Sequence, residues 1–168
     1  MYDLMDEIYM SKSKSYKPGI IFLDLKKAFD TVNHEILLQK LAYYGIGGIA
    51  LTWFKNFLSC RYQCTRINGK LSSFLEVLSG VPQGSIIGPI LFSIFINDII
   101  YACNLSKPFL FADDGALFFD QTCRSTFINM KIELMTIFKW LSVNKLSLNE
   151  TKTEFLLFDS VDQHDELT

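Results

Sequence analysis

The fold is decided by residues 109–119, FLFADDGALFF, in which two apolar runs flank a pair of aspartates. Short apolar runs separated by an Asp-Gly dipeptide are typical of a β-hairpin. We therefore predict strands at residues 109–111 and 116–119, with the turn at Asp113-Asp114-Gly115. The Asp-Gly preference accounts for Asp114 but does not require Asp113. Two adjacent carboxylates repel each other unless a cation neutralises them, so the pair is a candidate metal site.

Another carboxylate interrupts the apolar run of residues 20–25, IIFLDL, which we predict to be a buried strand. Alternation along a strand places Asp24 on the same face as Phe22. A carboxylate beside a core is costly unless it is paired, hydrogen-bonded or bound to metal. Taken alone, Asp24 is better explained as a strand-end residue that reaches solvent or pairs with a neighbouring lysine.

Considered together, the two acidic sites suggest phosphoryl-transfer chemistry. Magnesium prefers oxygen ligands, commonly one or two carboxylates together with substrate phosphates. Two such ions ~3.5–4 Å apart can hold the reacting oxygens of an in-line displacement. Asp24 on one strand and Asp113 on a neighbouring hairpin would supply the shared carboxylates. The chain offers no competing nucleophile triad, and no glycine-rich segment ends in the Gly-Lys-Ser/Thr of a P-loop.

The loop at residues 79–85, SGVPQGS, precedes an apolar helix. Its glycines allow backbone to approach a ligand closely, and the Gln83 amide offers both a donor and an acceptor. In isolation, an ordinary turn before a helix is the simpler interpretation.

The uncharged run of residues 77–97 is long enough to raise the question of a membrane span, but Pro and Gly break its first half, so we predict none.

Composition favours one folded domain over a disordered chain. Of the 168 residues, 49% are hydrophobic and fifteen are Phe, enough for a sizeable core.

The net charge of −2 gives the whole chain no electrostatic sign of nucleic-acid binding. Cys60 and Cys64 are the only close pair among the four cysteines, and no histidine lies near them, so we expect free thiols rather than a zinc site.

The predicted order of elements is strand, helices, hairpin, helix, hairpin, helix, strand. After the first strand, Asp30 or Thr31 is predicted to cap a helix that runs to about Tyr44. The dipeptide Asn68-Gly69 is the strongest short hairpin signal in the chain. The other predicted elements are helices at residues 49–58, 89–101 and 125–141 and strands at 63–67, 74–78 and 154–158. This pattern predicts an α+β fold with an antiparallel sheet packed on helices.

Four segments resemble the motifs of the reverse transcriptases of non-LTR (LINE-type, Jockey-like) retrotransposons. Residues 22–30, FLDLKKAFD, resemble motif A, and residues 80–89, GVPQGSIIGP, resemble motif B. Residues 111–114, FADD, resemble motif C. Residues 144–149, NKLSLN, followed by Lys152-Thr153, resemble motif D. Motif C has Phe where many relatives have Tyr. Four motifs in the family's order are far more specific than any one of them.

The resemblance implies a right-hand polymerase palm with fingers and thumb largely missing. Asp24 and Asp113 would ligate two catalytic Mg²⁺ ions, with Asp114 assisting. The backbone carbonyl of Leu25 would complete the metal site on the nucleotide side. The implied activity is that of an RNA-directed DNA polymerase, which adds deoxynucleoside triphosphates to a DNA primer on an RNA template.

Contacts to the substrate are also implied by the resemblance. Phe29 would be the steric gate that rejects a ribose 2′-hydroxyl, a role compatible with its plainer interpretation as a core residue. Gln83 and Gly84 would contact the nucleotide and the template. Lys152 would neutralise the departing pyrophosphate and could protonate it, and an ordinary surface lysine is the alternative.

The expected organisation is an N-terminal helix and linker at residues 1–19, a partial palm domain at 20–158 and a loose tail at 159–168. The chain shows no counterpart of the family's basic fingers segments, primer grip, thumb or endonuclease, which would account for the missing positive charge. Without a targeting signal, we expect an intracellular location, in cytoplasm or nucleus. Rival interpretations are a truncated, catalytically inactive retrotransposon remnant and a non-enzymatic interaction module.

Overall fold

Four antiparallel strands form the sheet of one of two compact units. The computed structural model describes residues 2–14, 16–120 and 123–158, and the first unit comprises 1–25, 99–142 and 147–168. The strands are β1 Gly19–Leu23, β6 Lys107–Phe111, β7 Asp114–Phe119 and β8 Glu154–Leu157. Their order is β6-β7-β1-β8, and every neighbouring pair is antiparallel. The predicted α+β class with an antiparallel sheet is confirmed. The predicted loose tail, residues 159–168, lies outside the described residues.

Helix α1, Tyr2–Ser13, covers one face of this sheet. Its Ile8 is buried in a cluster with Ile20, Ala116 and Phe118. Strand alternation puts Phe22 and Asp24 on this same face. However, Phe22 remains 42% exposed, so the face is open at its Asp24 end.

Helix α6, Cys123–Val143, packs on the other face, where the side chain of residue 19 would point. A Cβ atom built on Gly19 would lie 2.7 Å from Thr126 Cγ2 and 2.8 Å from Met130 Sδ. Because such contacts are shorter than real Cβ atoms tolerate, glycine lets the helix lie directly on β1. The helix predicted at residues 125–141 is confirmed.

The predicted turn at Asp113-Asp114-Gly115 is wrong, because the second strand of the hairpin begins two residues earlier than predicted. Asp114 and Gly115 are the first residues of β7, and the turn consists of Ala112 and Asp113. Ala112 carries the positive φ of the turn, 54°. Five residue pairs join β7 to β1, and this pairing along the apolar run outweighs the local Asp-Gly preference.

Glu133 of α6 is a buried acid, only 1% exposed. Its Oε1 accepts hydrogen bonds from Leu105 N at 3.1 Å, Ser106 N at 3.1 Å and Ser106 Oγ at 2.7 Å. These bonds tie the residues just before β6 to α6. Burial, and secondly the charge of Glu133, raise the pKa of the nearby Cys103 thiol to about 11.

The second unit, residues 26–98 and 143–146, contains mainly helices. They are α2 Ala28–Thr31, α3 His34–Tyr43, α4 Gly48–Leu58 and α5 Gly88–Ile96. Leu37 and Leu41 of α3 and Phe92 and Phe95 of α5 are fully buried. The helix predicted at residues 89–101 ends earlier, because a 3₁₀ segment, Asn97–Ala102, follows α5.

The predicted cap at Asp30 or Thr31 is also wrong. Two helices, α2 and α3, occupy the segment, separated by the extended residues Val32 and Asn33. Asn33 is the cap, since its Oδ1 accepts from Ile36 N at 3.1 Å. Val32 is completely buried, and its burial in an extended conformation interrupts the helical spacing that the sequence suggested.

Four two-residue strands follow α4: β2 Tyr62–Gln63, β3 Arg66–Ile67, β4 Lys70–Leu71 and β5 Leu75–Glu76. The Asn68-Gly69 turn is confirmed, with φ of 49° and 79°. It joins β3 to β4, whereas β5 pairs with β2. In the described part of the chain, no helix has both the length and the apolar character needed to cross a membrane.

Candidate active site

An acidic cleft lies at one end of the β1–β7 pair in the first unit. Leu23 and Gly115 are the last paired residues, and continuing this register by one residue aligns Asp24 with Asp114. Both line a cleft of about 600 Å³, together with Lys152 and several apolar residues. Asp113 lies in the adjoining turn and is not among the residues that line the cleft. The predicted pairing of the first strand with the aspartate hairpin is confirmed. Asp24 itself directly follows β1, and Asp113 lies in the turn before β7, so neither aspartate is within a strand as predicted.

The segment that precedes β8 anchors the end of β1. The Asp24 carbonyl accepts from Asn149 N at 2.7 Å, and Asp24 N donates to Thr153 Oγ1 at 3.4 Å. Leu25 forms an antiparallel bridge with Leu148. A tight turn follows, in which Lys152 N donates to Asn149 O at 3.1 Å. The same segment therefore fixes the backbone of Asp24 and brings Lys152 to the cleft.

The aspartates at and beside the cleft suit a hard cation. Within the described residues, the carboxylates of Asp24, Asp113 and Asp114 take part in no hydrogen bond or ion pair, so their oxygens are available as ligands. No three His, Cys, Asp or Glu side chains of the described chain are grouped to hold a metal by themselves. Magnesium commonly takes only one or two carboxylates and completes its shell with water and substrate phosphates. The donor set thus fits Mg²⁺ that completes its shell with water or phosphate oxygens.

In the second unit, the loop of residues 79–85 is attached to the backbone of α2. Gly80 N donates to Val32 O and Val81 N donates to Phe29 O, both at 2.8 Å. Ser79 Oγ donates to Asp30 O at 3.0 Å. Gly80 has a φ of 90°, and a Cβ there would lie within 2.9 Å of three Asp30 backbone atoms. Glycine is therefore required by both conformation and space.

The side chains predicted to contact substrate are arranged around this loop. Phe29 packs on Phe92 with ring centroids 4.6 Å apart, and is partly exposed. Gln83 Nε2 donates to Asp30 Oδ1 at 2.7 Å, and both residues line a cavity of about 430 Å³. Gly84 has a φ of 78°, and no atom would lie within 4 Å of its Cβ. Gln83 and Gly84 are exposed, so ligand can reach them.

Sequence reasoning did not single out three residues that support these sites. Asp30 holds the Gln83 side chain, His34 Nε2 bonds to Gly80 O at 2.7 Å, and Glu133 anchors the start of β6. Their partners are 53, 46 and 28 residues away in the chain. No local pattern marks contacts at such separations, although Asp30 does fall within the motif A segment.

The chain is similar in sequence to known polymerases of mobile elements. The profile of the family described as reverse transcriptase (RNA-dependent DNA polymerase) matches residues 3–167. The probable RNA-directed DNA polymerase from transposon BS of Drosophila melanogaster is 30% identical over 147 residues, 79% of this chain and 16% of that protein. The RNA-directed DNA polymerase from mobile element jockey of the same species is 39% identical over 88 residues, 52% of this chain and 9% of that protein. The chain thus spans less than a fifth of these relatives, and the predicted resemblance is confirmed.

Solved structures share the fold. Apo telomerase from Candida tropicalis, truncated from its C-terminal domain, superposes with a TM-score of 0.67, covering 100% of this chain and 37% of that one at 14% identity. Telomerase of the same species in complex with a fragment of telomeric RNA gives a TM-score of 0.69, covering 96% and 30% at 12% identity. At such low identity the similarity concerns the fold, which agrees with a partial polymerase palm.

Proposed function

Since this chain belongs to the reverse transcriptase (RNA-dependent DNA polymerase) family, we propose that it is the palm part of an RNA-directed DNA polymerase. Its partners would be an RNA template, a DNA primer and deoxynucleoside triphosphates, inside the cell in cytoplasm or nucleus. The observation that carries this proposal is that Asp24, Asp114 and Lys152 line the same cleft. Acidic ligands for a cation and a basic group for a phosphate are thereby combined in one cavity.

In the proposed mechanism, Asp24 and Asp113 would hold two Mg²⁺ ions, Asp114 would assist, and the carbonyl of Leu25 would add a ligand. Bound Mg²⁺ would supply charge stabilisation for phosphoryl transfer from the nucleotide to the primer 3′-hydroxyl. Lys152 neutralises the negative charge that develops on pyrophosphate and can give it a proton. Its turn is hydrogen-bonded to the backbone of Asp24, which keeps this ammonium group at the acidic cleft.

Phe29, Gln83 and Gly84 are the proposed substrate contacts of the second unit. Phe29 would face the sugar, where its ring overlaps a 2′-hydroxyl. Packing on Phe92 limits the ring's freedom to move away. The open space above Gly84 and the exposed Gln83 would accommodate nucleotide and template.

The test is primer extension by a chimaera in which residues 3–167 replace the matching segment of the jockey polymerase. The surrounding polymerase supplies the parts that this chain does not contain. We expect Mg²⁺-dependent addition of deoxynucleotides on an RNA template, abolished by chelation. A folded chimaera that adds none, while the intact jockey polymerase does, would contradict the proposal and favour the catalytically inactive remnant.

The isolated 168-residue chain is expected to extend the same primer at less than about 1% of the chimaera's rate. Phosphoryl transfer depends on positioning and on cationic stabilisation of the triphosphate. Asp3, Asp24 and Asp114 line the cleft, Asp113 lies beside it, and Lys152 is the single lysine in its lining. One lysine cannot by itself hold the β- and γ-phosphates in line. Extension by the purified chain at a rate similar to the chimaera's would show that surrounding segments are dispensable.

Replacing Phe29 by Ala in the chimaera should raise ribonucleotide incorporation at least about tenfold relative to deoxynucleotide incorporation. Removing ~1.4 kcal/mol of steric repulsion between the ring and the 2′-hydroxyl changes the ratio of the two incorporation rates tenfold. Phe29→Tyr keeps the ring and serves as the matched control, with discrimination unchanged. The ratio of kcat/KM values for the two sugars is the measurement. A Phe29→Ala chimaera that polymerises with unaltered discrimination would leave Phe29 as a packing residue only.

A further inference from the structure

The hydrogen bond between Gln83 and Asp30 determines which end of the Gln83 amide is available to a ligand. Gln83 Nε2 lies 2.7 Å from Asp30 Oδ1. An ionised carboxylate can only accept hydrogen bonds, whereas an amide has one accepting and one donating end. The NH₂ group must therefore face Asp30, and the carbonyl oxygen Oε1 is turned away from it. The chemistry of the pair thus favours this orientation whenever the hydrogen bond is formed.

We propose that Asp30 is a positioning residue, which orients Gln83 so that it presents a hydrogen-bond acceptor to the bound nucleotide. Gln83 would then recognise a donor, either a sugar hydroxyl or an N–H of the base, and would disfavour a group that can only accept. This inference rests on the proposed function, because it takes Gln83 to be a nucleotide contact. It assigns a role to Asp30, whose side chain has no part in the proposed metal site.

The loop that carries Gln83 is held by the backbone of Asp30, not by its side chain. Ser79 Oγ donates to the Asp30 carbonyl, Val81 N donates to the Phe29 carbonyl, and Gly80 packs on the Asp30 backbone. A substitution at the Asp30 side chain therefore leaves these contacts in place. It changes the orientation of Gln83 selectively, which separates positioning from loop structure.

Both side chains of the pair are solvent-exposed, so water competes for the same hydrogen bond. The hydrogen bond therefore favours one orientation of the Gln83 amide without locking it. Loss of this preference should change nucleotide affinity roughly threefold to tenfold, the range of one such bond. Asp30→Ala would free the amide to rotate. Asp30→Asn would permit both orientations, because Asn can either accept or donate.

The orientation can be tested without nucleotide, by NMR of the ¹⁵N-labelled 168-residue chain. The Gln83 side-chain amide is assigned by its loss in Gln83→Met. We expect one Nε2 proton to be shifted downfield in the unaltered chain, to return to the position of a free amide in Asp30→Ala, and to show intermediate behaviour in Asp30→Asn. Glu35→Gln, an exposed acid of α3, is the matched control and should change nothing. An unchanged Gln83 signal in Asp30→Ala would overturn the proposal.

The substrate role is tested in the chimaera, with and without the same substitutions, by titration with Mg²⁺ and a deoxynucleoside triphosphate. Asp30→Ala should raise the Kd roughly threefold to tenfold, whereas Glu35→Gln should not. A dideoxynucleotide distinguishes the two donors, because the effect of Asp30→Ala disappears with it only if the donor is the sugar hydroxyl. Equal Kd values for the unaltered chimaera and its Asp30→Ala variant would overturn the substrate role of Gln83 orientation. No binding by the unaltered chimaera would contradict the proposed function and that role, while the NMR result on orientation would stand.

Discussion

Replacement of Asp113 or Asp24 by Asn in the chimaera should lower the rate of primer extension at least about 1000-fold. Each carboxylate is proposed to hold both Mg²⁺ ions, and an amide is neutral and a much poorer ligand. A loss of ~4 kcal/mol of charge stabilisation in the transition state corresponds to three powers of ten. Single-turnover extension on an RNA template measures the effect directly.

Folding should be unaffected by these two substitutions. In the described part of the chain, the Asp24 and Asp113 side chains have no hydrogen-bond or ion-pair partner to lose. Removing one of several neighbouring negative charges can even stabilise the chain. Asp120→Asn is the control, because Asp120 follows the other end of β7 and has the same charge, and the amide oxygen of Asn can still accept the hydrogen bond from Ser11 Oγ. If Asp113→Asn retained extension comparable to Asp120→Asn, the proposed metal ligands would be wrong.

Glu133→Leu is expected to reduce the free energy of unfolding by about 3 kcal/mol. One carboxylate oxygen accepts three hydrogen bonds from residues 105 and 106, and a donor left unsatisfied in a partly buried site costs ~1–3 kcal/mol. Water can reach some of these donors, so the costs do not add fully. Urea unfolding of the 168-residue chain, followed by circular dichroism, gives the value.

Glu133→Gln separates the loss of charge from the loss of the acceptor. Its amide oxygen can occupy the position of Oε1 and keep all three bonds, so we expect a loss of only about 1 kcal/mol. The negative charge that helps to raise the pKa of Cys103 is removed at the same time. In a chain whose other three cysteines are Ser, alkylation of Cys103 at pH 8 should therefore become faster without unfolding. Equal stabilities of Glu133→Leu and Glu133→Gln would show that the hydrogen bonds to Glu133 are not important.

Several elements were predictable because their signals are local. The apolar run of β1, the Asn68-Gly69 turn with its two positive φ angles, and the spacing of apolar residues in α6 all depend on residues that are neighbours in the chain. The same holds for the anomaly of acidic residues within apolar strands. Because burying a carboxylate is costly, Asp24 and Asp113 stand out without any knowledge of the fold.

Errors arose where a distant partner overrode a local preference. The dipeptide Asp114-Gly115 is typical of a turn, yet Asp114 pairs with Phe111 of β6, and Gly115 pairs with both β6 and β1. This pairing makes both residues part of β7 and moves the turn to Ala112-Asp113. Burial of Val32 similarly divided a predicted continuous helix, and Asn33 became the cap. In both cases the free energy of strand pairing or burial exceeds the small differences among turn and cap residues.

The sequence by itself determined the α+β class, the family motifs and the acidic residues of the candidate site, since these depend on residue type and short-range spacing. Only the tertiary structure decided that Asp24 aligns with Asp114, that the segment before β8 brings Lys152 to the same cleft, and that Asp30 orients Gln83. These contacts join residues 53 to 129 positions apart. They form only when the sheet register and the loop attachment have been set by packing of the whole chain, which no local pattern specifies.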